Sequence, residues 1–340
     1  MWKVFVTTFL IFGTIVGAGF SSGNEVVVFF SRFGGWSYFY ITVASLLMFF
    51  VNFFFLRKGK ILAEYIQSHK LLNFLVLAIT VVFGASMFAG IKNLFGYFDD
   101  KTYYFLMVAM LLASLMVTAK GIGGLEKTNA ILTPILTAMF FAVVIFAGRI
   151  NSVYQGFTLS FAGVLYCPLY VALNSSMSIF VLAKAGEKLN KKQALLSSLF
   201  SAIVLFVFLT LCNFVLRKNA DSFVSEMPIL YIVRNNKIFF VLEYIVILVG
   251  CFTTLFSLLF TINNSLKKHL KNKHFCVFSS VFLPFAISGV GFSEIISFLY
   301  PICSIFGVFV ILFSIFSLNK TDNIIHSKRK NAQNRGCGHD

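Results

Sequence analysis

"GTIVGAGFSSGNEVVVFF", residues 13–30, places four glycines, two adjacent serines, an Asn and a Glu inside the first apolar stretch of the chain. In a soluble domain such a run reads as a turn, so the class of the protein must be settled first. Of 340 residues 59% are hydrophobic and 12% charged, and mean hydropathy is +0.89. Apolar runs of about twenty residues or more recur from end to end, which specifies a polytopic membrane protein. Lys3 precedes an apolar run longer than a signal-peptide core, with no small-residue cleavage site behind it, and this reads as a retained first span.

A window of about 19 residues predicts spans over 4–30, 36–56, 71–97, 103–119, 126–148, 158–183, 193–216, 237–263, 275–291 and 294–318. Polar joints such as "LRKGK", "FDDK", "AGEKLNKKQ" and "KKHLKNKH" separate them, and none is long enough for a soluble domain. Ten spans leave both termini on one side. The first residues, the joints after spans 2, 4, 6 and 8, and the tail hold 20 of the 28 Lys and Arg residues, so the positive-inside rule puts both termini in the cytoplasm. The net charge of +16 is therefore mainly topology, and the basic tail "HSKRKNAQNR" is read as facing anionic lipid, with no nucleic-acid partner.

The residue types that carry catalysis lie outside the spans. His69, His269, His274, His326 and His339 fall in joints or the tail, as do Asp99, Asp100, Asp221, Asp322 and Asp340. Neither an intramembrane aspartyl pair nor a His-based metal site can be assembled at membrane depth, so no enzyme is expected. The six cysteines show no C-x-x-C spacing and read as small packing residues; Cys337 and His339 on the tail fall short of a closed zinc site.

The glycines of residues 13–30 then acquire a meaning. Each of Gly13, Gly17, Gly19 and Gly23 weakens a helix by about 1 kcal/mol relative to Ala, and backbone freed in hydrocarbon must line a cavity. Ser22-Gly23-Asn24-Glu25 has the S-x-x-E form of a capping box, so a second helix is expected to start inside the membrane. The free N–H groups at such a start suit a carboxylate, and the carbonyls of the preceding half suit a cation, as in the broken helices of transporters. The competing reading is a small-xxx-small packing face, because Gly13/Gly17 and Gly19/Gly23 both fit G-x-x-x-G. Two serines and an intramembrane Glu, which packing does not require, favour the break.

An inverted repeat requires span 6 to mirror span 1. "AGVLYCPLYVALNSSMSIF" puts Pro168 near that span's midpoint, with Asn174, Ser175 and Ser176 within two turns, so a second break is expected over 168–175. Glu126 before Pro134 and Glu294 before Pro301 give spans 5 and 10 a weaker echo. Two readings of Glu25 stand: a cap, or a ligand for a substrate ammonium or a coupling proton. Lys92 is read as snorkelling, and Glu243 as lining an outer vestibule.

"GTIVGAGFSSGNEVVVFF", "LYCPLYVALNSS", "EMPIL" and "GCFTTLFS", in this order and spacing, resemble the YkvI-like amino-acid permeases of bacteria over nearly the whole chain. The resemblance implies membership of the amino acid, polyamine and organocation superfamily with the fold of the leucine transporter. That fold has ten transmembrane helices in a five-plus-five inverted repeat, with spans 1 and 6 broken at the midplane. Residues 1–148 would form the first repeat, 149–318 the second and 319–340 a basic tail. It further implies a secondary transporter of an amino acid in the bacterial cell membrane. The substrate site would be drawn from Gly17, Ala18, Gly19, Ser21, Ser22, Glu25, Tyr170, Asn174 and Ser175. A sodium site would use the carbonyls of Gly13, Val16 and Gly250 with the hydroxyls of Thr253 and Thr254, which fall at i, i+3 and i+4; back-bonding of those hydroxyls to their own helix is the alternative. Sodium or a proton is the implied coupling ion, and no other cofactor is. Span 6 lacks the glycines usual at the break in these relatives. A spore germinant receptor subunit, which senses amino acids on a similar fold, is the alternative function.

The charge split generates a topology test. Single cysteines placed at position 100 and at position 191 should react with an impermeant thiol reagent from opposite sides of the membrane; reaction from the same side would refute the arrangement.

Overall fold

The structure, a computed structural model, describes residues 1–96, 98–149, 163–267, 270, 272–313 and 315–316. The tail 319–340, with Cys337 and His339, and the first residues of the expected span 6 lie outside the described residues. Helices account for the described secondary structure, with no strand among these residues.

Chain order runs through α1 (Trp2–Ile15), α2 (Ala18–Ser21), α3 (Asn24–Phe29), α4 (Ser37–Ser68), α5 (Lys70–Phe95) and α6 (Asp100–Ala147). It continues with α7 (Gly163–Gly186), α8 (Lys191–Lys218), α9 (Pro228–Val233), α10 (Lys237–Leu266) and α11 (Lys273–Ile287). The last element is α12 (Phe292–Phe313), which contains a π turn over Ile295–Leu299. Eight of these helical stretches are long and apolar enough to cross a membrane. The expected first span is divided among α1, α2 and α3, none of which would cross alone. Expected spans 4 and 5 are carried by the single 48-residue α6, whose one non-helical residue is Gly121 (φ 65°, ψ −152°), between the two predicted spans.

Polar joints fix where helices begin. Asn190 accepts from the Gln193 N–H at 2.9 Å while Gln193 accepts from the Asn190 N–H at 3.1 Å, a reciprocal cap that starts α8. Asn236 caps α10 and Asn272 caps α11 in the same one-sided manner. Asp99 caps α6, accepting from the Thr102 hydroxyl at 2.7 Å and its N–H at 3.2 Å; these bonds hold its carboxyl below the usual aspartate range.

The broken first segment runs through the middle of the bundle. α1 packs against α6, α8 and α10, and α2 against α5 and α10. Around this axis α4 lies along α7, and α10 lies along α5 and α6. Hydrocarbon offers no drive for apolar helices to associate, so close backbone approach at small residues is what holds such pairs together. The α4–α7 pair shows this. A β-carbon on Gly59 would stand 2.7 Å from the Ala183 Cα, one on Gly186 would run into the Leu56 backbone, and one on Gly163 would enter the Tyr40 ring. Outward faces carry exposed Phe50, Phe105, Met116 and Phe298, suited to acyl chains. The five described cysteines are free and buried, as small packing residues should be.

Gly186→Val should therefore push α4 from α7, costing about 1–3 kcal/mol or more from overpacking. Gly123→Ala, where nothing lies within 4 Å, should be neutral. Thermal unfolding of the two variants in detergent compares them directly, and equal midpoints would contradict the packing described.

Candidate functional site

The break in the first span is built by two consecutive residues. Val16 sits at φ −83°, ψ 81°, the geometry of an inverse γ-turn, and the Gly17 N–H accordingly donates to the Ile15 carbonyl at 3.0 Å. Gly17 itself is extended, at φ −100°, ψ −163°. One helical turn, Ala18–Ser21, follows, and Gly23 at φ 86° then starts α3. The expected break over 16–22 is thus present.

This turn redirects two backbone groups. Because the Gly17 N–H is used by Ile15, the Gly13 carbonyl is left without its i+4 donor; it accepts from the Thr254 hydroxyl of α10 at 2.9 Å. The Ala18 N–H, likewise outside the ladder, donates to the Met87 thioether of α5 at 3.3 Å. Gly17 is required by proximity: a β-carbon there would stand 2.6 Å from Met87 Sδ and 3.2 Å from Thr254 Cγ2.

Of the oxygens expected to hold an ion, the structure brings the Gly13 carbonyl against Thr254. It also brings the Val16 carbonyl to within 3.2 Å of where a Gly250 β-carbon would stand. Thr253 is turned elsewhere, donating to the Gly250 carbonyl of its own helix at 3.1 Å, so its back-bonded alternative is the one observed. Sequence reading missed Thr14 and Ser257, whose hydroxyls meet at 2.9 Å one turn further along.

Among the expected substrate residues, Gly17, Ala18, Gly19, Ser21 and Ser22 all lie in or beside the break and are buried. Ser21 Oγ, Tyr170 Oη and Asn174 Oδ1 are buried without a hydrogen-bond partner. Glu25 is 2% exposed; its carboxylate lies 3.5 Å from Asn174 Nδ2 and packs under Gly19, 3.2 Å from where a β-carbon would stand. Tyr170 and Tyr300 are within electrostatic reach of it. Phe29 and Phe30 meet the Tyr170 ring edge-on at 5.6 and 5.0 Å, forming an aromatic wall. Ser175 points away, toward Met48 Sδ at 3.5 Å.

Four expectations are corrected here. The capping box does not form: Ser22 is right-handed helical at φ −71°, ψ −14° and its hydroxyl donates to the Gly19 carbonyl, so Gly23 is the N-cap and Glu25 is free to reach α7. Span 6 is not broken over 168–175. α7 is continuous through Pro168, and the polar side chains that follow it bond their own helix, Asn174 to the Tyr170 carbonyl at 3.1 Å and Ser176 to that of Leu173 at 2.9 Å. Glu243 lines no vestibule; it is fully buried. Lys92 is half-buried and tied to Ser288 at 2.7 Å over the Phe285 ring, a fixed contact in place of a free snorkel.

Sequence reading also missed the third wall. Met87 and Ser86 of α5 and Tyr300 of α12 complete it, with Tyr300 stacked on Phe83 at 3.9 Å and its hydroxyl 2.5 Å from Ser86. Toward the expected outer end, the Ile229 N–H donates to the Ser22 carbonyl at 2.9 Å and Asn24 donates to the Glu226 carbonyl at 3.1 Å, seating α9 over the break. Beside it lies a cavity of about 510 Å³ bordered by Lys92, Glu226, Tyr231, Arg234 and Phe240. At the opposite end Lys3 donates to the Lys188 carbonyl at 3.2 Å, and Lys188 pairs with Glu126 at 2.7 Å.

The helical bundle with a broken segment along its axis is a fold that this chain shares with a solved transporter. It superposes with a TM-score of 0.58 on Mhp1, a nucleobase-cation-symport-1 family transporter in a closed conformation with bromovinylhydantoin bound. Identity is 12%, over 87% of this chain and 74% of that one. In sequence it is 26% identical over 321 residues to the Uncharacterized membrane protein YkvI of Bacillus subtilis (strain 168), covering 86% of this chain and 90% of the relative. No family model matches the chain.

If the break is a binding site, a large side chain at its centre must block it. Gly17→Leu should abolish solute binding while leaving membrane insertion and expression intact, measured by scintillation proximity on purified protein. Unchanged affinity would assign this glycine to packing alone.

Proposed function

We propose that the chain is a secondary active transporter that moves an amino acid, or a similar small solute bearing amino and carboxylate groups, by cation-coupled alternating access. The observation that carries this reading is the break at Val16 and Gly17, with a redirected carbonyl on one side and orphaned polar side chains on the other. The Ala18 N–H is held by a thioether, a weak acceptor; a substrate carboxylate is a far stronger one and would take its place. Glu25 stands across the break as a partner for an ammonium, with Asn174, Tyr170 and Ser21 offering the remaining polar contacts. The protein is proposed to cross a bacterial cell membrane ten times with both termini cytoplasmic, as two repeats of five spans, α6 supplying two crossings joined at Gly121.

The coupling ion is proposed to be sodium, held by the carbonyls of Gly13, Val16 and Gly250 with Thr254, and with Thr253 once its hydroxyl rotates from its own helix. Oxygens alone suit a small hard cation. The likeness to a cation symporter's fold supports coupling of this kind.

Reconstituted protein offers the test. With no membrane potential, an inward sodium gradient should drive accumulation of a radiolabelled amino acid in proteoliposomes, and Thr254→Val should eliminate the sodium dependence. Accumulation that follows an imposed pH gradient and ignores sodium would overturn the ion assignment, and Glu25 becomes the coupling residue if Glu25→Gln then abolishes that response.

A further inference from the structure

Glu243 is the group that the site described above leaves unused. It lies in α10, has no exposed surface, and both of its carboxylate oxygens are buried without a hydrogen-bond partner. An intramembrane ionisable side chain is costly, and one with two orphan oxygens is costlier still unless something that the protein exchanges with its surroundings satisfies it.

Position supplies what burial alone does not. Glu243, Ile247 and Gly250 fall at i, i+4 and i+7, on one face of α10. Gly250, about 10.5 Å along that face, meets the Val16 carbonyl and the Ser21 hydroxyl of the break. In the other direction Phe240, at i−3, borders the cavity of about 510 Å³ beside α9. The carboxyl therefore stands one turn below a polar cavity and two turns above the break, with Phe240 between it and the cavity.

The charged groups on the outer halves of the surrounding elements have partners of their own: Lys218 of α8 donates to the Gly148 carbonyl, Arg217 lies 5.5 Å over the Tyr38 ring, and Glu226 accepts from Asn93. Lys92 of α5 is held by Ser288 and Phe285, and Arg234 beyond α9 lies 3.5 Å over the Tyr231 ring. Tyr244 donates to the Leu94 carbonyl, and Arg149 beyond α6 is exposed. Cys212 of α8 is within electrostatic reach of Glu243, and also of Tyr170 of α7, which is in reach of Glu25. Among the described residues none forms an ion pair with Glu243, so the occupant that fits its buried, unpartnered carboxyl is a proton.

We propose that Glu243 is a proton-binding site of the transport cycle, loaded from the outer cavity past Phe240 and separate from the sodium set at the break. An O–H bond of a hydronium ion in the cavity breaks, leaving water, as an O–H bond forms on the carboxylate; on release that bond breaks and the proton returns to water as hydronium. The transport role rests on the function proposed above; the proton site does not.

Infrared difference spectroscopy of the full-length protein in lipid nanodiscs reads the site without any solute. At neutral pH the wild type should show a protonated-carboxyl C=O band that Glu243→Gln removes and Glu243→Asp retains at a shifted frequency, while Glu25→Gln leaves that band in place. Phe240→Ala should speed its shift on transfer to deuterium oxide. In proteoliposomes, Glu243→Gln should lose the stimulation of amino-acid accumulation by an inward proton gradient. A spectrum unchanged by Glu243→Gln overturns the proton site. If the band behaves as expected but no amino acid accumulates under any gradient, the site stands and the transport reading falls.

Discussion

Hydrocarbon cannot hydrogen-bond, and every feature at the centre of this molecule answers to that constraint. A helix opened at mid-membrane leaves backbone groups that cost several kcal/mol each if unpaired. Three surrounding elements supply the partners: Thr254 of α10 for the Gly13 carbonyl, Met87 of α5 for the Ala18 N–H, and the Ile229 N–H of α9 for the Ser22 carbonyl. Made bonds of this sort average only about 0.6 kcal/mol net between membrane helices. The asymmetry matters more than either figure. Leaving the break unpaired is prohibitive, whereas exchanging one partner for another is nearly free, and that is the condition under which a ligand can enter.

Much of this was legible in residues 13–30, because glycines, serines and a Glu at mid-span conflict with every requirement of a plain membrane helix. The break and the placement of Glu25 at mid-span follow from local composition, whereas the nearness of Gly13 to Thr254 was implied by the family resemblance and not by spacing. The misreadings have a common origin. S-x-x-E caps a helix only if its Ser is extended, and Ser22 is instead the last residue of a preceding turn; the left-handed Gly23 takes the capping position. Pro168 removes one N–H and crowds the carbonyl four residues back, yet α7 stays helical through it, and the Asn and Ser residues behind it find acceptors on their own helix. Met87, Ser86 and Tyr300 carry no local signal, since only tertiary packing brings them to the break.

The 48-residue α6 shows the same limit from the other side. Hydropathy divides it at the polar joint holding Lys120, Glu126 and Lys127, yet the backbone runs helically through that joint except at Gly121. A straight helix of this length would extend about 72 Å, against a hydrocarbon thickness of about 30 Å. Gly121, left-handed and with open space around its α-carbon, is the point at which that excess is resolved.

A continuous α7 beside a broken first segment makes these two elements unequal, and the alternating access proposed above then needs compliance from somewhere other than α7. α12 is the element whose backbone offers it. It begins after Gly291 at φ 116°, and its π turn over Ile295–Leu299 departs from the regular ladder, as such turns do most often near functional sites. Ile296, inside that turn, lies 3.0 Å from where a Gly19 β-carbon would stand, and Tyr300 follows it directly to bond Ser86. A change in the register of this one turn would therefore move contacts to α2 and to α5 together. The glycines of the first span and the irregular start of the last thus meet beside Glu25, while α4 and α7 are locked backbone to backbone at Gly59 and Gly186.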